Sequence, residues 1–158
     1  MESAYLRHIP QEDIYLFNTG NAKKAWLCFG CRYIPELKAH RFIVWAPNAQ
    51  RVSLVGSFNG WDRDAMPMEK IEGGVWVCFA EGIENGALYK YCVTGADGRQ
   101  ILKSDPFAAY SQTGSETASI VWNGGDFRWG DGEYMQRRAK RDFMTQPMSI
   151  YELHLGSW

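Results

Sequence analysis

The chain has 158 residues, 46% hydrophobic and 22% charged, a composition that buries a core and excludes a disordered segment. A formal net charge of −1 recommends neither a nucleic-acid nor an anionic-membrane partner, and no apolar run approaches the ~18–20 residues of a membrane span. What stands out is an aromatic content of 15%, with 7 Trp, 8 Tyr and 8 Phe. Aromatics stiffen sheets and fill cores, and the remainder can serve as a contact surface.

The opening MESAYLRHIPQEDIYLF has no apolar core segment and no small-residue cleavage site, so no secretory signal is expected. Residues 12–18 (EDIYLFN), followed by Thr19-Gly20, predict a short helix closed by glycine. Residues 22–34 fit a helical turn or a strand. The four cysteines, Cys28, Cys31, Cys78 and Cys92, hold one CxxC pair without a second pair or a nearby histidine. Buried free thiols are expected, with no metal site and no cofactor, and free thiols fit a cytoplasmic setting. His8, His40 and His154 are dispersed.

From residue 40 the texture becomes β. His40–Ala46, Arg51–Ser57, Val75–Glu81 and Ala87–Thr94 are rich in β-branched and aromatic residues. Asn59-Gly60, Gly73-Gly74, Asn85-Gly86 and Asp97-Gly98 punctuate them with turns that call for positive φ. Gln100–Lys103 and Ala118–Trp122 are two further strands. The expected fold class is all-β, an immunoglobulin-like antiparallel β-sandwich with short flanking helices. Asn123-Gly124-Gly125 breaks the pattern. Asp131 is placed to cap a helix over Glu133–Arg141, whose Arg137, Arg138, Lys140 and Arg141 read as a solvated face. After Pro147, SIYELHLGSW reads as a buried strand through Ile150, Leu153 and Leu155.

One short stretch stands apart. In LVGSFNGWDRD (54–64) a tryptophan, Trp61, directly follows a tight turn. It is there either as a plug folded over the core or as a ring displayed to a flat apolar partner. Trp45 and Trp76, by contrast, lie mid-strand and read as core or sheet-face residues. Trp122 closes the last strand.

RFIVWAPNAQRVSLVGSFNGWD (41–62), ALYKYCV (87–93), LKSDPFA (102–108), ETASIVW (116–122) and SIYELHLGSW (149–158) resemble glycogen branching enzymes in order and spacing, over nearly the whole chain. The sandwich segment resembles a family 48 carbohydrate-binding module. The closing strand resembles the first strand of the (β/α)8 barrel of the α-amylase superfamily. The resemblance implies four regions: an N-terminal extension with a helix and a lead-in strand (1–35), the sandwich (36–123), a linker with a helix (124–147), and the start of the barrel (148–158).

It also implies a glucan-binding and docking module, with glycogen or another α-1,4-glucan and the catalytic barrel as partners. Trp61 of the Phe58-Asn59-Gly60-Trp61 turn would be the stacking platform. Lys90 would donate to sugar hydroxyls, and Thr117 and Asn59 would add rim contacts. The second platform tryptophan of glucan-sensing relatives has no counterpart in Thr94–Arg99. The family's catalytic carboxylates lie further along such proteins, and none of the acidic residues here is placed to replace them, so no catalytic residue is expected and the chain alone should be inactive. Trp129 and Trp158 would pack on the barrel. Ile150, Leu153, Leu155 and Trp158 would be disordered, add to a sheet edge or pair with a second copy of the chain. The rival expectations are a purely structural domain that steadies the barrel without binding sugar, and a free-standing glucan sensor.

Overall fold

The computed structural model describes residues 3–124, 128–142 and 144–157. Contacts divide the chain into two compact units, 1–123 and 124–158. The first opens with helices α1 (Ser3–Leu6) and α2 (Gln11–Asn18). Nine strands follow: β1 (Gly30–Ile34), β2 (Ala39–Trp45), β3 (Arg51–Gly56), β4 (Glu69–Ile71), β5 (Val75–Glu81), β6 (Leu88–Thr94), β7 (Gln100–Lys103), β8 (Tyr110–Ser111) and β9 (Ser119–Ile120). They make two antiparallel sheets. The first has the order β1-β2-β5-β4; the second runs β3-β6-β9-β8, with β7 also on β6. This is the expected sandwich.

Its core is built by alternation. Phe42, Val44, Trp76 and Ala80 of the first sheet meet Val52, Leu54, Tyr89 and Tyr91 of the second. Trp76 is buried as expected, its indole N–H donating to the Ala46 carbonyl at 2.9 Å. A polar cluster sits within this layer. The buried Asp105 carboxylate accepts from the Tyr89 hydroxyl at 2.7 Å, the Tyr91 hydroxyl at 3.1 Å and the Phe107 amide at 2.8 Å. Burial raises the Asp105 pKa from its ordinary value, and those three donors act against that rise. Burial likewise holds both tyrosines protonated.

The other face of the first sheet is covered as well. Ile9, Ile14, Cys28 and Phe29 pack on Ile43, Val75 and Val77, with Phe17 and Phe107 against them. Phe29 stacks on Phe107 at 5.2 Å and meets Phe17 at 4.4 Å between ring centroids. The buried Arg41 guanidinium ties this cover down, donating to the His8 carbonyl at 2.7 Å and the Cys28 carbonyl at 2.9 Å. With both faces occupied, six of the seven residues of β2 are buried, the near-continuous apolar run of a doubly covered strand.

The helix expected at 12–18 is α2, and Gly20 closes it at φ +75°. The ambiguous 22–34 region resolves into a 3-10 turn (Ala25–Leu27) and β1. Because β1 pairs with β2 from Gly30 to Ile34, the sandwich begins near residue 30 and not at 36, and the lead-in strand is one of its edge strands. Trp45 departs from the mid-strand expectation. At the last position of β2 it is 47% exposed, its ring edge on Phe17 and its N–H on the Gly73 carbonyl. All four cysteines are free, and burial lifts the thiols of Cys28 and Cys78 to about 11.

The second unit holds α3 (Gly132–Lys140), exposed throughout, with Glu133 in its first turn and Arg137, Arg138 and Lys140 in its last. That order of charge suits the helix dipole. Asp131 occupies the N-cap position but makes no side-chain cap bond. The strand expected in SIYELHLGSW (149–158) does not form among the described residues. Described residues 148–154 carry no regular element, Leu155–Ser157 make a 3-10 turn, and Ile150 and Leu155 are 85% and 86% exposed. A strand exists only where its backbone finds a partner, and none of the pairings among the described residues involves this segment. Trp158 lies outside the described residues.

Candidate functional site

Among the described residues of the first unit, α2 packs on the first sheet, and the sequence-predicted residues lie on and around β3 and β6 of the second. Val55 of β3 lies directly opposite Lys90 of β6, and Gly56 opposite Tyr89. Tyr89 and Tyr91 point into the inter-sheet core, so Lys90 and Leu88, alternating with them, point outward. After Gly56 the chain makes a 3-10 turn, Ser57–Asn59, and then two consecutive left-handed residues, Gly60 (φ +62°) and Trp61 (φ +62°).

Of the two aromatics in this turn, Phe58 is the plug. It packs against the inter-sheet core, so close to Gly56 that a Cβ there would lie 2.5 Å from the Phe58 ring and 2.3 Å from the Leu88 carbonyl oxygen. Trp61 is 37% exposed. Its positive φ is costly for a residue bearing Cβ and is held by its own amide, which donates to the Gly56 carbonyl at 2.9 Å.

Asn59 has a role that its sequence position did not disclose. Its side-chain oxygen accepts from the Gly56 amide at 2.9 Å, and its NH2 donates to the Leu54 carbonyl at 3.0 Å. The amide group therefore braces the turn under Trp61, and its orientation is set by backbone. The segment beyond is fastened to the same sheet. Ser53 donates to the Arg63 carbonyl at 2.5 Å, Arg63 to the Gln100 side chain at 3.1 Å, and residues 66–68 bond along β3. Asp62 and Asp64 stay at the surface. Asp62 accepts from the Asp64 amide at 2.8 Å, and Asp64 pairs with Arg51 at 2.6 Å in an exposed ion pair that adds little stability.

Lys90 and Thr117 are brought together: the ammonium donates to the threonine hydroxyl at 2.7 Å. Thr117 is exposed, and its carbonyl accepts from the Ser104 hydroxyl. One ammonium proton is thus engaged and two remain for other acceptors. The ensemble comprises a partly exposed indole on a hydrogen-bonded turn after β3, an ammonium on the neighbouring β6, and an exposed hydroxyl bonded to it, while Val55 opposite Lys90 is itself buried. Such a surface offers apolar stacking and hydrogen bonds to a neutral polar ligand. Among the described residues no cluster of three or more His, Cys, Asp or Glu side chains is arranged to hold a metal ion, and no helix is long and apolar enough to cross a membrane.

The fold is that of the two-sheet, immunoglobulin-like antiparallel β-sandwiches. Residues 28–108 match the family described as Carbohydrate-binding module 48 (Isoamylase N-terminal domain), and the chain belongs to that family. It is 41% identical over 152 residues to the 1,4-alpha-glucan branching enzyme GlgB of Nitratidesulfovibrio vulgaris, covering 92% of this chain and 23% of that protein. It is 45% identical over 149 residues to the enzyme of the same name from Rubrobacter xylanophilus, covering 92% and 20%. The chain thus spans about a fifth to a quarter of the length of these curated relatives. Among solved structures it is similar to a Salmonella typhimurium protein that carries the name alpha amylase, with a TM-score of 0.53 and 24% identity over 67% of this chain and 16% of the other. That likeness concerns the fold.

Proposed function

We propose that this chain is the glucan-binding and docking module of a 1,4-α-glucan branching enzyme. It takes an α-1,4-glucan chain on Trp61 and keeps it beside the catalytic domain of the longer protein, raising the local concentration of acceptor and donor chains there. The observation that carries this reading is Trp61, a tryptophan kept partly in solvent at a left-handed backbone position while its neighbour Phe58 does the filling. Strain of this kind persists where the surroundings impose it and clusters at functional positions.

The chemistry follows from the groups present. An α-1,4-glucan presents C–H faces of its sugar rings, which suit the negative π face of an indole. Its hydroxyls then need partners, which Lys90 and Thr117 supply. Asn59 acts as a positioning residue that fixes the turn. Breaking an α-1,4 bond and forming an α-1,6 bond requires a carboxylate pair, and that work belongs to the remainder of such an enzyme. The name shared by relatives 41–45% identical to this chain supports the assignment, and four free cysteines fit a cytoplasmic setting.

A second reading has an observation of its own. Trp61 is more covered than exposed, and Lys90 is already engaged with Thr117, as in a domain that steadies a catalytic barrel without holding sugar. Affinity electrophoresis of the chain in gels with and without glycogen, beside Trp61→Ala, separates the two. Retardation by glycogen that Trp61→Ala abolishes is the expected result. A folded wild-type chain that migrates identically in both gels overturns glucan binding and leaves the docking role.

A further inference from the structure

We propose that Tyr110 and Trp122 form a second sugar platform on the Trp61 face, so that the module grips an extended stretch of α-1,4-glucan across the second sheet. This inference rests on the reading that Trp61 and Lys90 bind glucan.

Strand parity puts these residues on one face. Ser119 and Val121 are fully buried and Val121 belongs to the inter-sheet core, so Ile120 and Trp122, alternating with them, face outward. The pairing continues past β9, since the Val121 amide donates to the Ala87 carbonyl and the Gly86 amide to the Val121 carbonyl, both at 2.8 Å. Tyr110 lies opposite Ile120, and Ile120 opposite Leu88. Residues directly opposite share a face, so Leu88, Ile120, Tyr110 and Trp122 look out on the side to which Lys90 points.

The two aromatic sites also align across the strands. Gly56, whose carbonyl holds Trp61, is opposite Tyr89; Tyr89 is opposite Ser119; Ser119 is opposite Ser111. Gly56, which holds the Trp61 amide, and Ser111, next to Tyr110, thus stand at the two ends of one cross-strand line, three strand spacings or about 14–15 Å apart along the backbone. A short oligosaccharide on Trp61 does not reach the far end, whereas a longer chain does. Between them Leu88 and Ile120 are half-buried and apolar, and Lys90 and Thr117 supply polar groups alongside.

The pair itself has the form of a platform. Tyr110 is 51% and Trp122 49% exposed, their ring centroids 5.6 Å apart and their planes inclined by 60°. Two inclined rings make a shallow corner that a curved sugar chain fills better than one flat ring does. Tyr110, Ile120 and Trp122 are uncharged, as a neutral ligand requires. The turn at Thr94–Arg99 carries no aromatic, and the corner beyond β9, towards the Leu88 end of β6, supplies the second contact that this turn lacks.

The test is binding of maltotriose and maltoheptaose to the 158-residue chain by isothermal titration, with Trp61→Ala, Trp122→Ala, Trp122→Phe and Tyr110→Ala, each checked for folding by circular dichroism. Maltoheptaose is expected to bind the wild type about tenfold more tightly than maltotriose, and Trp122→Ala or Tyr110→Ala to remove that advantage while leaving maltotriose unchanged. Trp122→Phe should keep most of it, and Trp61→Ala should weaken both ligands. Should Trp122→Ala fail to fold, Tyr110→Ala carries the comparison. Wild-type binding that is lost in Trp61→Ala but indifferent to Trp122 and Tyr110 overturns the second platform and leaves the Trp61 site standing. No binding of either sugar by the folded wild type overturns both.

Discussion

The two sheets of the sandwich share one core and differ in their outer faces. The first sheet is covered by the N-terminal segment, with Ile14, Phe17 and Phe29 over Ile43, Val75 and Val77. On the outer side of the second, Ser53, Val55 and Cys92 are buried, while Trp61, Tyr110 and Trp122 stay partly exposed. The difference teaches where binding can reside. Covering a sheet face converts its side chains into stability, and leaving it open keeps them available to a ligand.

The sharpest way to break the comparison is through the layer both sheets share. Asp105→Ala removes the acceptor of two buried tyrosine hydroxyls and one amide. Stranded buried donors cost about 1–3 kcal/mol each, so a loss of at least ~3 kcal/mol is expected in urea unfolding. A loss below ~1 kcal/mol would mean that the network is not closed as described.

Next in size is the cover of the first sheet. Ile14→Ala, at a buried position of α2, should cost about 2–3 kcal/mol while leaving glycogen retardation unchanged per folded molecule, because the cover and the binding face lie on opposite sides of the sandwich. Retardation that weakened with this variant would couple the two faces.

The smallest effect is the most informative for the site. At a left-handed position glycine is about 1 kcal/mol less strained than a residue with Cβ. Trp61→Gly should therefore be more stable than Trp61→Ala by roughly that amount, with both variants losing retardation. If the alanine variant proved the more stable, the positive φ of Trp61 would be refuted.

How much of this was legible in the sequence differs between the same two regions. β5 and β7 match their expected bounds, and β2, β3 and β6 match to within a residue, because apolar and β-branched residues recur there between glycine turns. β4 and β8, of three and two residues, are too short to hold a period and depend on their partners. β1 was ambiguous because its burial arises from pairing with β2, a non-local event. The boundary near residue 30 went unread for the same reason.

At the site, residue types pointed to Trp61, Lys90 and Thr117 but not to the division of labour. Asn59-Gly60 signalled a turn, yet the two left-handed residues are Gly60 and Trp61. That Phe58 fills the core while Trp61 does not is a matter of which way the chain leaves Gly56. The pairing of Tyr110 with Trp122 spans a loop and a two-residue strand. The alternation of Ile120 and Trp122 with buried Ser119 and Val121 was the one local signal that could have marked it.

The doubly covered β2 bears on what counts as a domain. The family match begins at residue 28, yet Ile9, Ile14 and Phe17 complete a cover that Cys28, Phe29 and Phe107 alone would leave partial over Ile43, Val75 and Val77. A gene fusion that transplanted only the recognisable stretch would carry an open hydrophobic wound into its new host. The folding unit here is the sandwich together with its lid.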